Sequence, residues 1–177
     1  NNPTLLYGYG GFGISSTPFI DLTYVAFMDK GGILAVPQIR GGGDFPGWHE
    51  QGKRHNKQNT IDDFIAASEY LIDYYTTSNQ LAIIGGSHGG LLALAAMTQR
   101  PELYKAVIST SGVSDMTRFH LFNIGYSYRE EFGSPEDSID FKYLYDYSPL
   151  HHLKEELIYP STLLITGIND DRVHPFH

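Results

Sequence analysis

The residues best placed to do chemistry lie in Gly85-Gly86-Ser87-His88-Gly89-Gly90, a run that contains G-x-S-x-G. A serine hydroxyl is a weak nucleophile until a base serves it and its oxygen is lifted clear of the backbone. A tight strand-to-helix turn supplies the lift, and glycines two before and two after let strand and helix approach closely. The helix that follows aims its N-terminus at the site, which favours developing negative charge. The same letters also describe a glycine-rich turn with an ordinary serine. The context favours the chemistry. Leu81-Ala82-Ile83-Ile84 reads as an apolar strand before the turn, and from 90 to about 100 the chain is a Leu- and Ala-rich helix buried nearly all round.

A nucleophilic serine needs a base, and the base needs an orienting carboxylate. On this kind of turn the order along the chain is Ser, then Asp or Glu, then His. Asp170 and Asp171 both follow the apolar strand 161–165 and so meet the carboxylate requirement, with a cap or solvated turn as the plainer role. The histidine is harder to place. His174 and His177 follow the pair within one short turn, and His88 adjoins the nucleophile with its side chain leaving in another direction. His49, His55, His120, His151 and His152 come too early, so no histidine of the sequence is a convincing base. His174 and His177 with the Asp pair give poor geometric control for a metal, and none is expected. Arg40-Gly41-Gly42-Gly43 lacks the lysine and serine of a phosphate loop, and no cofactor is expected.

The elements that must position these residues are short. Thr4-Leu5-Leu6-Tyr7, Ile33-Leu34-Ala35-Val36, Ala106-Val107-Ile108-Ser109 and the segment 161–165 read as further apolar strands. A helix is predicted over 60–75, with Thr60 and Asp63 as a capping box. The aromatic stretch 114–149 reads as irregular with short helices. Continuous apolar strands alternating with helices predict a mostly parallel sheet covered on both faces, with ligands at the carboxyl ends of its strands. A length of 177 residues allows one domain. A net charge of −8 excludes a general phosphate-backbone binder. Zero cysteines exclude disulfides, thiolate zinc sites and a cysteine nucleophile, while leaving the compartment open. No run of about 18 apolar residues is present to cross a membrane. The abrupt ends, Asn1-Asn2-Pro3 and Val173-His174-Pro175-Phe176-His177, lead us to expect a piece of a longer polypeptide.

Seven motifs together resemble the catalytic domain of the prolyl oligopeptidase family of serine peptidases. They are Tyr7-Gly8-Tyr9-Gly10-Gly11-Phe12, Arg40-Gly41-Gly42-Gly43-Asp44 with Trp48-His49, Asn59 with Asp62-Asp63-Phe64, the elbow through Leu92, Gln99-Arg100-Pro101, Tyr147-Ser148-Pro149-Leu150, and Asp170-Asp171-Arg172-Val173. The resemblance covers nearly the whole chain and implies an α/β-hydrolase fold lacking its terminal elements. It implies Ser87 as nucleophile, Asp170 as triad carboxylate, and Tyr9 with the backbone N–H of His88 as oxyanion donors. It implies that Arg172 bonds a substrate carbonyl, and that Phe12, Val113, Tyr128, Phe132 and Val173 line the pocket for the residue before the scissile bond. Tyr128, Phe132 and His88 stand where the family typically has tryptophan, tyrosine and asparagine. Glu130 lies where the branch that cleaves after Lys or Arg places an acid, yet that branch matches the Tyr7–Phe12 motif poorly and has a second acid where this chain has Tyr128, so the resemblance favours proline. The resemblance also implies a β-propeller before this region and the triad histidine after it, so residues 1–177 are expected to be a partial catalytic domain with little activity alone. The implied partners are short peptides. An esterase of the same fold and a non-catalytic fragment are the other readings.

Overall fold

Five short apolar segments pair in parallel into one sheet, and the glycine-rich turns follow its strands. The computed structural model describes residues 2–177. The strands are β1 (Thr4–Tyr7), β2 (Ile33–Ala35), β3 (Leu81–Gly86), β4 (Ala106–Thr110) and β5 (Ser161–Ile165), in spatial order β2-β1-β3-β4-β5. Gly85 pairs with Ser109 and Gly86 with Thr110, so β3 and β4 stay in register up to the elbow. The predicted strands recur within one or two residues at each end.

In this order β1 and β3 are neighbours from which the chain departs in opposite directions, to β2 on one side and to β4 and β5 on the other. A parallel sheet opens a crevice at such a point, beyond the carboxyl ends of the two strands. Tyr9 follows β1 and Ser87 follows β3, so the topology brings the two loops to the same crevice.

The helices are α1 (Leu22–Asp29), α2 (Lys57–Tyr74), α3 (His88–Gln99), α4 (Arg129–Phe132) and α5 (Ser138–Asp146). α3 packs on β3 and β4, and α2 packs on α3. Every residue of α3 from His88 to Thr98 is buried, as its Leu- and Ala-rich sequence predicts. Phe64 and Ile61 of α2, Leu91 and Leu92 of α3, and Leu81, Ile83 and Val107 of the strands form the centre of the core. Cover of the sheet is uneven. Leu81, Ile83 and Gly85 are buried whereas Ala82, Ile84 and Gly86 are partly exposed, and β5 is exposed at all five positions.

Two local expectations change. α2 begins at Lys57, so Thr60 lies inside the helix and caps nothing. Its hydroxyl donates to the Gly52 carbonyl at 3.1 Å. Asp63, the supposed partner in a capping box, instead accepts from the backbone and guanidinium of Arg40 at 3.0, 2.8 and 2.5 Å. α1 was not predicted. Asp21 caps it by accepting from the Thr23 N–H, and none of its residues is buried.

Candidate active site

Ser87 sits between β3 and α3 with φ 55° and ψ −118°. A non-glycine residue there is strained, by about 1–3 kcal/mol, and persists only where the surroundings over-determine it. They do. The Ser87 N–H donates to the Thr110 carbonyl at 2.8 Å, extending the β3–β4 pairing into the turn. Its carbonyl accepts from Gly90 and Leu91 at 3.0 and 3.1 Å, which starts α3. A Cβ on Gly85 would stand 2.1 Å from the Gly89 carbonyl oxygen, and one on Gly89 2.3 Å from that of Gly8. Any larger residue at either place would push strand, helix and the β1 loop apart.

His88 is the first residue of α3, so its backbone N–H has no intrahelical acceptor. Tyr9 comes to the same place from the loop after β1, its ring centroid 5.5 Å from that of His88. Burial first, and then the charge of Glu131, push the Tyr9 hydroxyl above its ordinary range, against the pull of Arg172. It is therefore a neutral donor at ordinary pH.

Ser87 borders two clefts. One, of about 290 Å³, is walled by Phe12, Val113, Tyr128 and Phe132, with Tyr9 and His88 beside Ser87. Phe12 meets Tyr128 at 5.7 Å and Phe132 at 5.8 Å, both edge to face, which leaves a narrow aromatic slot. The other cleft, of about 480 Å³, is bordered by Tyr7, Ser111, Asp170 and Val173 among others. Tyr9, Ser87 and Arg172 face both. Val173 is buried and lies on the larger cleft, beside Asp170, apart from the aromatic slot.

Asp170 is held by its own loop. One carboxylate oxygen accepts from the N–H groups of Arg172 and Val173 at 3.0 and 2.9 Å. The Val173 bond, then the Ser111 hydroxyl and the Arg172 bond, hold this carboxyl below its ordinary value. Two side chains of the aromatic stretch grip the same loop. Asn123 donates its amide to the Asp170 carbonyl, and Tyr128 its hydroxyl to the Arg172 carbonyl, both at 3.1 Å. Asp171 is exposed and makes no such contacts among the described residues.

Glu130 does not enter the aromatic slot. Its side chain is 92% exposed and pairs with Arg54 at 3.1 Å. Its neighbour Glu131 is buried behind the slot, with both oxygens engaged: Lys57 Nζ at 2.6 Å and His49 Nε2 at 2.7 Å. The same Lys57 ammonium lies 3.0 Å from His88 Nε2, and His88 Nδ1 lies 2.6 Å from the Tyr9 carbonyl oxygen. Sequence reasoning missed Lys57, Glu131, Asn123 and Ser111. Lys and Glu ordinarily mark surface, and nothing in their spacing signals burial.

Among the described residues, His88 is the one histidine lining either cleft that Ser87 borders. His88 has both ring nitrogens occupied. His174 and His177 border a separate cleft with Leu164 and Pro175, and His174 stacks on Phe122 at 5.1 Å.

Comparison with known proteins places the chain in a family. A profile described as the prolyl oligopeptidase family matches residues 19–177. A prolyl endopeptidase of Dictyostelium discoideum is 48% identical over 100% of this chain and 24% of its own length. One from Elizabethkingia miricola is 47% identical over 99% of the chain and 25% of its own. Among solved structures, a post-proline cleaving enzyme from Rickettsia typhi superposes with a TM-score of 0.97 at 40% identity, over 99% of this chain and 26% of that one. Prolyl oligopeptidase B from Galerina marginata superposes with a TM-score of 0.96 at 39% identity, over 99% and 26%. The chain thus spans about a quarter of the length of the curated relatives it matches. With an α/β-hydrolase sheet and this level of identity along its whole length, the chain belongs to the prolyl oligopeptidase family.

Proposed function

We propose that this chain carries the nucleophile, the carboxylate and the oxyanion donors of a serine peptidase that cleaves short peptides after proline. The observation that carries the reading is the placement of Ser87. It stands on a strained elbow at the junction of two clefts, with Tyr9 and the His88 N–H beside it and an aromatic slot on one side. Ser87 Oγ attacks the peptide carbonyl while a histidine outside the described residues, oriented by Asp170, takes its proton. The oxyanion is held by the Tyr9 hydroxyl and the His88 N–H. Each such donor contributes about 2.7–4 kcal/mol to the transition state. The imidazolium then protonates the leaving amine, an acyl-enzyme remains on Ser87, and water releases it by the same steps reversed. Arg172, facing both clefts, is placed to donate to a substrate carbonyl.

The slot supports proline over a basic residue. A flat apolar ring is matched by Phe12, Val113, Tyr128 and Phe132. A lysine or arginine would need a carboxylate there, and Glu130 points to solvent while Glu131 is already paired. Names of the relatives agree, and one from Amanita bisporigera, 42% identical, is a dual function macrocyclase-peptidase. An acyl-enzyme can be released by an amine as well as by water. The 177 residues alone turn over little or no peptide, because no base is available to Ser87.

The test uses the complete polypeptide that carries this chain. It should label with a fluorophosphonate at Ser87 and cleave a proline-containing peptide in preference to a Lys- or Arg-containing one. Faster turnover of p-nitrophenyl esters with no peptide cleavage would assign an esterase instead. Fast stoichiometric labelling of the 177 residues alone would show that a local histidine serves as base.

A further inference from the structure

The buried polar group behind the aromatic slot is larger than a pocket wall needs. Lys57 and Glu131 are 1% and 3% exposed, and their atoms meet at 2.6 Å. Burying two charges costs more than a surface pair returns, and apolar replacement of such a pair is often neutral or stabilising. Stability alone therefore does not account for it. Geometry does better, because each member fixes the next. Burial pulls the Lys57 amine below its ordinary value, against the charge and bond of Glu131 at 2.6 Å; as the ammonium of that pair it can only donate, so His88 Nε2 accepts and the proton of the neutral ring sits on Nδ1. From there it is donated to the Tyr9 carbonyl at 2.6 Å. Burial above all, and then the Lys57 charge, bring His88 down to about 3, so the ring stays neutral across the working range. Burial alone would raise Glu131, but the Lys57 charge and the bonds from Lys57 and His49 outweigh it and hold its carboxyl low.

The same ring lies flat against Phe132, 5.6 Å away and tilted by 3°, while Phe12 meets it edge on at 5.9 Å. Phe132 and Glu131 are adjacent on α4, Lys57 opens α2, and His88 opens α3. One imidazole thus joins three helices to the loop that carries Tyr9.

We propose that Lys57, Glu131 and the His88 side chain form a positioning network that sets the oxyanion loop and the floor of the aromatic slot as one unit. The inference rests on Ser87 and Tyr9 acting as nucleophile and oxyanion donor. None of the three side chains touches the reacting atoms. They act through the Tyr9 carbonyl and the Phe132 ring. His88 therefore has two separate duties here: its backbone N–H faces the oxyanion, and its ring holds the opposite donor in place.

The test is a double-mutant cycle in the complete polypeptide, read as the rate of Ser87 labelling by a fluorophosphonate and as kcat on a proline-containing peptide. Tyr9→Phe in the parent should slow labelling by about 100-fold. In the background Lys57→Met/Glu131→Gln, the starting rate should already be at least about tenfold lower, and Tyr9→Phe should then cost less than about tenfold, because the hydroxyl is no longer held. Circular dichroism should show the double variant folded. His88→Leu, which leaves the Lys57–Glu131 pair intact, is the second variant and should lose the same coupling. Equal Tyr9→Phe factors in all three backgrounds would overturn the network, as would an unchanged starting rate. A parent that labels but does not cleave the proline peptide refutes the proline reading while the labelling cycle still decides the network. A parent that never labels refutes both.

Discussion

The turn after β3 carries the proposed nucleophile and the loop after β5 the proposed carboxylate, and the two are held in different ways. Ser87 stands in a buried corner where strand pairing, the start of α3 and two glycine contacts all converge on one backbone conformation. Asp170 stands on a loop that is mostly exposed, at the end of a strand exposed along its whole length. Its position comes from hydrogen bonds within the loop and from Asn123 and Tyr128, which belong to the aromatic stretch. The nucleophile's geometry is thus a property of the core, while the carboxylate's is borrowed from a neighbouring segment. Damage to the elbow should be felt in folding, and damage to the loop in rate.

The largest expected effect comes from Ser87→Ala. It should lower kcat of the complete polypeptide on a proline peptide by about a millionfold, as expected for a lost nucleophile. Retention of even a hundredth of the activity would mean another residue attacks. Asp170→Asn should cost about 10⁴-fold, because the base loses its orienting charge, with the fold intact. Asp170 also has a pH signature. Its carboxyl is held below the ordinary value of 3.8, so the stability it contributes is present above that value and lost as pH falls through the lower, folded value. Asp170→Asn should therefore flatten the acid side of the stability–pH curve, measured by urea denaturation between about pH 2 and 5. An unchanged acid slope would show that those hydrogen bonds do not favour the ionised form.

Gly89→Ala tests the other region. With 2.3 Å to the Gly8 carbonyl oxygen there is no room for a methyl group, and unfolding free energy should fall by about 3 kcal/mol. Ser87→Gly is the opposite probe. It relieves the positive φ, against a more flexible unfolded chain, so stability should rise by about 1 kcal/mol as activity vanishes. A loss of stability in Ser87→Gly would show that the elbow is not strained.

The two regions were unequally legible in the sequence. The elbow could be read because glycine is the only residue that fits its close contacts, so the spacing of letters reports the geometry. The strands could be read because short apolar runs have few other uses. α1 was invisible because its apolar residues, from Leu22 to Met28, are spread around the helix and bury no face. The Thr60–Asp63 pair misled because Asp63 answers to Arg40, a contact spanning 23 residues. Lys57 and Glu131 could not be found, since burial of a charge depends on a partner 74 residues away. Asn123 and Ser111 share that difficulty: each grips Asp170 through a long-range contact that leaves no periodic trace.

The smallest effect would sharpen the comparison most. Asn123 is exposed, adopts φ 45°, and among the described residues makes one long-range bond, from its amide to the Asp170 carbonyl. Removing an exposed neutral hydrogen bond changes stability by about 1 kcal/mol or less. If the loop borrows its geometry, Asn123→Ala should nonetheless lower kcat by about five- to tenfold with little change in KM. Alanine also fits poorly at positive φ, so a loss could come from backbone strain alone. Asn123→Gly separates the two causes. Glycine accepts this φ but cannot make the bond. A loss of kcat shared by both variants assigns the effect to the bond. A loss in Asn123→Ala only assigns it to the backbone. Wild-type kcat in both would mean that Asp170 is placed without the Asn123 bond, by its own loop with Ser111 and Tyr128, and the contrast with the elbow would narrow.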